Sequence, residues 1–133
     1  MQRVFLDANI LFSAAYREQA GMQRLWRLRG VRLVTSSYAA QEAAANLPER
    51  AQQDRLAKLI QALVVLPHPQ AALTLPAGVS LPAKDAPILH AALNARAAVL
   101  LTGDMAHFGR YFGKTIGGVR ILPPSDFLRE FNT

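Results

Sequence analysis

The chain reads as an α/β fold built on a parallel sheet, and three observations predict it. Short β-branched or leucine-rich runs recur along the sequence, and longer stretches with helical spacing separate them. Strands that alternate with helices pair in parallel, because each crossover returns the chain to the same end of the sheet. At 133 residues there is enough chain for one compact core and too little for two ordinary ones, so residues 1–133 are expected to form one domain with one site.

The elements follow in order. A first strand is predicted at 3–6, where an apolar run is cut by Asp7. Met22, Leu25 and Trp26 form an apolar helix stripe, and a second strand is expected at 31–35. Ser36 and Ser37 suit the cap of an alanine-rich helix at 38–46, which carries Glu42. Leu56, Leu59, Ile60 and Leu63 recur at i, i+3, i+4 and i+7, predicting a helix that leads into a third strand at 63–66. Residues 67–82 hold four prolines and Gly78 without periodicity and read as a surface loop. Pro87 fits the first turn of a helix over 87–96, with Leu89, Ala92 and Leu93 facing inward and Asp85 at its entrance. Strands at 98–102 and 119–122 follow, and a last helix from Pro124 is expected to close the core with Phe127, Leu128 and Phe131. No internal repeat is visible.

Composition narrows the chemistry. Hydrophobic residues make up 51% and charged residues 18%, a globular balance. There is no cysteine, which excludes thiol catalysis, disulfides and thiolate metal sites and leaves Asp, Glu and His as the available metal ligands. No apolar stretch approaches the roughly 20 residues of a membrane span, so the expectation is a soluble, unexported, cytoplasmic protein with no membrane partner. The net charge of +6 favours a polyanionic partner, although Arg supplies twelve of the fifteen basic residues and genome composition can produce that bias.

In a parallel sheet, ligands bind beyond the carboxyl ends of the strands, where the order of connections reverses. Asp7 directly follows the first strand, and Asp104 follows the fourth after Gly103. If the fourth strand lies beside the first, their ends are about 4.8 Å apart and can share an ion. Asp85 opens the helix that feeds the fourth strand, and Glu42 lies one turn into the helix after the second, so both belong at the same edge of the sheet. Asp126 also follows a strand, but about 10 Å from the first, and reads as a helix cap.

Each of the four has an ordinary structural alternative: capping for Asp85, a Gly-Asp turn for Asp104, a solvated helix position for Glu42. Asp7 is hardest to explain that way, because Asp is disfavoured at the end of an apolar central strand. Four carboxylates this close cannot all stay ionised without a cation. Oxygen ligands suit Mg²⁺ or Mn²⁺, and histidines scattered at 68, 90 and 107 argue against tetrahedral zinc.

The stretches Phe5-Leu6-Asp7-Ala8-Asn9-Ile10-Leu11, Glu42 in its helix, Lys84-Asp85-Ala86-Pro87-Ile88-Leu89, and Leu101-Thr102-Gly103-Asp104 together resemble the PIN-domain nucleases, and among them the toxin ribonucleases of VapC type. The resemblance implies a three-layer α/β/α fold with a five-stranded parallel sheet in the order 3-2-1-4-5. It implies that Asp7, Glu42, Asp85 and Asp104 form an acidic site for Mg²⁺ or Mn²⁺, with Asn9 and Thr102 as polar supports. It further implies RNA cleavage by metal-activated water, a small protein antitoxin and a homodimer. Alternatives are a housekeeping RNA-processing nuclease of the same fold and a non-catalytic RNA- or protein-binding module.

Other signals come from the residues themselves. Asn46, one turn beyond Glu42, is placed to hydrogen-bond and orient its carboxylate. Lys84, Arg110 and Lys114 are candidate RNA phosphate contacts, with solvated charge as the alternative for Arg110 and Lys114. The run from Gly109 to Thr115 has the look of a phosphate loop but is one residue short and lacks the flanking strand and helix. His107 reads as a turn or surface residue before a proton donor or outer partner of the acids, and Trp26 as core or dimer interface before a base-stacking platform.

Overall fold

A computed structural model describes residues 1–67 and 74–131. Six strands form one sheet: β1 (Gln2–Leu6), β2 (Val31–Ser36), β3 (Val64–Leu66), β4 (Val99–Leu101), β5 (Thr115–Ile116) and β6 (Val119–Leu122). Their order is β3-β2-β1-β4-β6-β5, with every pairing parallel except β5 with β6. The expected order therefore holds, with β6 in the place of the fifth strand.

The expectation of five parallel strands falls short by one. β5 is a two-residue antiparallel edge, folded onto β6 through Gly117 and Gly118, both at positive φ. Two consecutive positive-φ residues make the tight turn that matches strand twist, and glycine adopts that backbone without steric cost. A Cβ on Gly117 would also lie 2.7 Å from Leu93 Cδ2.

Six α-helices are present among the described residues: α1 (Ala8–Ala15), α2 (Ser37–Ala45), α3 (Arg50–Gln61), α4 (Ala86–Asn94), α5 (Met105–Phe108) and α6 (Pro124–Glu130). Ser36 caps α2, its hydroxyl accepting from the Ala39 amide at 3.1 Å. The Met22 stripe is a 3-10 helix, Gly21–Arg27. Leu25 is buried there and Met22 and Leu28, three residues to either side, are half-buried, which is the three-residue repeat of that helix type. Trp26 is half-buried against the core and donates its indole N–H to the Leu59 carbonyl at 3.0 Å. In α6, Phe127 is buried but Phe131 is substantially exposed, stacked on Phe127 rather than closing the core. The loop predicted at 67–82 has neither helix nor strand over 74–82, and 68–73 lie outside the described residues. No helix among the described residues is long and apolar enough to cross a membrane.

Val4, Phe5 and Leu6 of β1 are all buried, as are Val99, Leu100 and Leu101 of β4. Because successive strand side chains point to opposite faces, burial without alternation means the sheet centre is covered on both sides, which makes three layers. The chain runs outward from β1 to β3 and returns to add β4 on the other flank of β1. That reversal lies between β1 and β4, where Leu6 and Leu101 are in register.

Candidate active site

Asp7 follows Leu6 at the reversal point and caps α1. Its Oδ1 accepts from the Ala8 amide at 2.6 Å, and its Oδ2 accepts from the Thr102 hydroxyl at 2.8 Å and from Asn9 Nδ2 at 3.2 Å. The carboxyl is 4% exposed. Burial raises its pKa to about 6; the bonds from Thr102 and Ala8 oppose the rise, and the charges of Glu42 and Asp85 add to it.

Thr102, at the end of β4, is wholly buried and serves as a hub. Its hydroxyl donates to Asp7 and accepts from Asn9 Nδ2 at 3.2 Å and from the Asp104 amide at 3.1 Å. One donor and two acceptors exhaust a hydroxyl's capacity. Asn9 closes the circuit by accepting from the Gly103 amide at 2.8 Å. The two residues expected to support the acids therefore lock the turns after β1 and β4 to each other.

Asp104 caps α5: its Oδ1 accepts from the His107 amide at 3.1 Å. Asp85 occupies the cap position of α4 but makes no capping bond, so its side chain is turned to other use. Its Oδ2 is buried and lies 2.9 Å from His107 Nδ1, which is also 2.9 Å from Asp104 Oδ2. A ring nitrogen carries at most one hydrogen, and the ring is aligned with Asp104. The Asp85 oxygen is left without a hydrogen bond. Burial raises the Asp85 pKa and the Asp104 charge adds to it, while His107 and Lys84 act in the opposite direction.

Glu42, half-buried on α2, completes the arrangement. Asp7, Glu42, Asp85 and Asp104 all line one cleft of about 680 Å³, together with Asn9 and Lys84. Tyr38, one turn before Glu42, donates its hydroxyl to the Lys84 carbonyl at 2.6 Å, tying α2 to the segment that carries Asp85. Its phenol pKa is raised by burial, and the charges of Glu42, Asp85 and Asp7 add to the rise, the mark of negative charge gathered at this edge.

Asn46, Asp126 and His107 depart from expectation. Asn46 Nδ2 donates to the backbone carbonyl of Glu42 at 3.0 Å and does not hold its carboxylate. Asn46 is the C-cap of α2, and a short amide there bonds back to the open carbonyls of the last turn. Arg110 and Lys114 are exposed and do not line the cleft; Arg110 stacks over Tyr111 at 5.4 Å. Asp126 sits in the first turn of α6 beside Arg129 at 3.5 Å, while Pro123 occupies the cap position. His107 belongs to the acidic cluster. Its i+3 spacing from Asp104 puts both on one face of a helical turn, a signal present in the sequence.

The donor set fits a hard divalent cation. The unsatisfied, buried Asp85 oxygen is the observation that matters, because a buried carboxylate oxygen with no donor is costly unless a cation neutralises it. Among the described residues, Asp85, Asp104 and His107 each present one ligand atom within 4.8 Å of the others. Asp7 and Glu42 line the same cleft outside that group.

Residues 3–106 match the family model described as PIN domain. The solved structure of VapBC2 from Rickettsia felis bound to a promoter DNA fragment is similar with a TM-score of 0.64 and 15% identity, over 92% of this chain and 98% of that one. FitAcB from Neisseria gonorrhoeae is similar with a TM-score of 0.56 and 18% identity, over the same shares. No curated protein matches the sequence. With its fold order, its acid-lined cleft and a family match over well more than half its length, the chain belongs to the PIN-domain family.

Proposed function

We propose that this chain is a divalent-metal-dependent endoribonuclease and the toxin of a toxin–antitoxin pair, with residues 1–133 working as one nuclease domain in the cytoplasm. The observation that carries the reading is the convergence of four acids, from four separate parts of the chain, on one cleft at the reversal point of the sheet. Structural similarity to VapBC2 and the VapC-type motifs support the toxin role. The similarity to VapBC2 also supports a small protein antitoxin, and the homodimer is proposed on the family resemblance alone.

Asp7, Glu42, Asp85 and Asp104 would hold Mg²⁺ or Mn²⁺. The cation supplies positive charge that favours ionised water and stabilises the charge developing on the phosphodiester. Thr102 and Asn9 hold both Asp7 and the turn bearing Asp104, so the acids do not reorganise as substrate arrives. Lys84, at the cleft wall, offers its ammonium to a backbone phosphate. Hydrolysis in this arrangement leaves a 5′-phosphate and a 3′-hydroxyl.

The test is incubation of purified protein with RNA and Mg²⁺ or Mn²⁺, with EDTA and Asp7→Asn controls and identification of product ends. Cleavage that persists in both controls would refute the mechanism. For the toxin role, growth arrest on expression, relieved by co-expressing a small protein encoded beside this gene, is the expected result.

A further inference from the structure

We propose that His107 is a metal ligand through Nδ1, sharing one ion with Asp85 and Asp104, and that this nitrogen makes the site select Mn²⁺ over Mg²⁺. The inference rests on reading the acid cleft as a divalent-metal site and adds a ligand and a selectivity to it.

The argument is one of satisfied atoms. His107 Nδ1 faces two carboxylate oxygens at once, each 2.9 Å away. As a hydrogen-bond donor it can serve one, and Asp85 Oδ2 stays buried and unsatisfied. A cation among the three atoms satisfies all of them together. The spacing agrees: with metal–ligand bonds of about 2.1 Å, neighbouring ligands of an octahedron lie about 3.0 Å apart. The ring is also held in place, because the His107 amide donates to Asp104 Oδ1 and ties both ligands to one helical turn.

The chemistry of the donors sets the selectivity. Mg²⁺ is served by carboxylate and water, whereas imidazole suits first-row transition ions, among which Mn²⁺ still accepts a predominantly oxygen environment. Of these two ions, a site with two carboxylates and one imidazole therefore favours Mn²⁺ over Mg²⁺.

Pulsed EPR of the Mn²⁺-loaded protein tests this without reference to catalysis. The expected result is nitrogen coupling to Mn²⁺ in the wild type, lost in His107→Gln. In that variant the Mn²⁺ Kd should rise about tenfold or more, and the preference for Mn²⁺ over Mg²⁺ should shrink. Mn²⁺ bound by the wild type without nitrogen coupling, or coupling and preference unchanged in His107→Gln, would overturn the inference and leave the acid site standing. A wild-type protein that binds neither ion would overturn the acid site itself, and the inference with it.

Discussion

Asp7→Asn should make the metal-free protein more stable at alkaline pH while abolishing its activity. In the fold the Asp7 carboxyl holds its proton up to about pH 6, against an ordinary value of 3.8. Between those values the folded state binds more protons than the unfolded state, so stability falls as pH rises through the window and stays reduced above it. The gap corresponds to about 3 kcal/mol for the fully ionised group, of which about 1 kcal/mol is already present at pH 4.5. Asparagine removes this cost. It keeps an oxygen for the Ala8 amide, but it turns an N–H toward both Asn9 Nδ2 and the Thr102 hydroxyl, losing two bonds of about 1 kcal/mol each at every pH. The variant should therefore fall about 1 kcal/mol below the wild type near pH 4.5 and exceed it by about 1 kcal/mol at pH 8. Urea unfolding followed by circular dichroism in EDTA measures both. Mg²⁺ at about a hundred times its Kd should then raise wild-type stability by about 2.7 kcal/mol and raise Asp7→Asn by less. A stability difference that does not vary with pH would refute the claim that Asp7 is a desolvated carboxylate waiting for a cation.

Thr102→Val keeps the shape of a wholly buried side chain but deletes the hub between Asp7, Asn9 and Asp104. It should raise the Asp7 pKa further above about 6 and cost about 3 kcal/mol of stability, read by carboxyl NMR titration and urea unfolding; an unmoved Asp7 titration would remove the hydroxyl from its support. Gly117→Ala should cost about 1–2 kcal/mol in thermal unfolding, because its φ of +56° lies in the left-handed region and its Cβ would press on Leu93. A variant as stable as the wild type would mean that the β5–β6 turn contributes nothing to holding the edge.

Most of the frame is legible in the sequence. The i, i+3, i+4, i+7 stripe ending at Leu63, the serine cap before Tyr38 and the short apolar runs gave α3, α2 and five of the six strands. α1 escaped because only its cap, Asp7, separates it from β1, so the mostly apolar stretch from Val4 to Ala15 hides the change of period. β5 escaped because two residues carry no periodicity; only the paired glycines after it mark the hairpin.

The site divides in the same way. Asp7 and Asp104 can be paired from the sequence, because strand order and the position just past a strand end are properties of the chain's local pattern. Which atoms meet is a matter of tertiary packing. That Asp85 declines to cap its own helix, that Asn46 bonds a carbonyl in place of a carboxylate, and that His107 lies between two acids all depend on side-chain directions set by neighbours remote in sequence. The sequence by itself determined which acids reach the carboxyl edge of the sheet, since local periodicity and the rules of parallel connection are enough for that. Only the tertiary structure decided the hydrogen bonds that hold them and the histidine that joins them, because burial and the need to satisfy every polar atom act through contacts between distant parts of the chain.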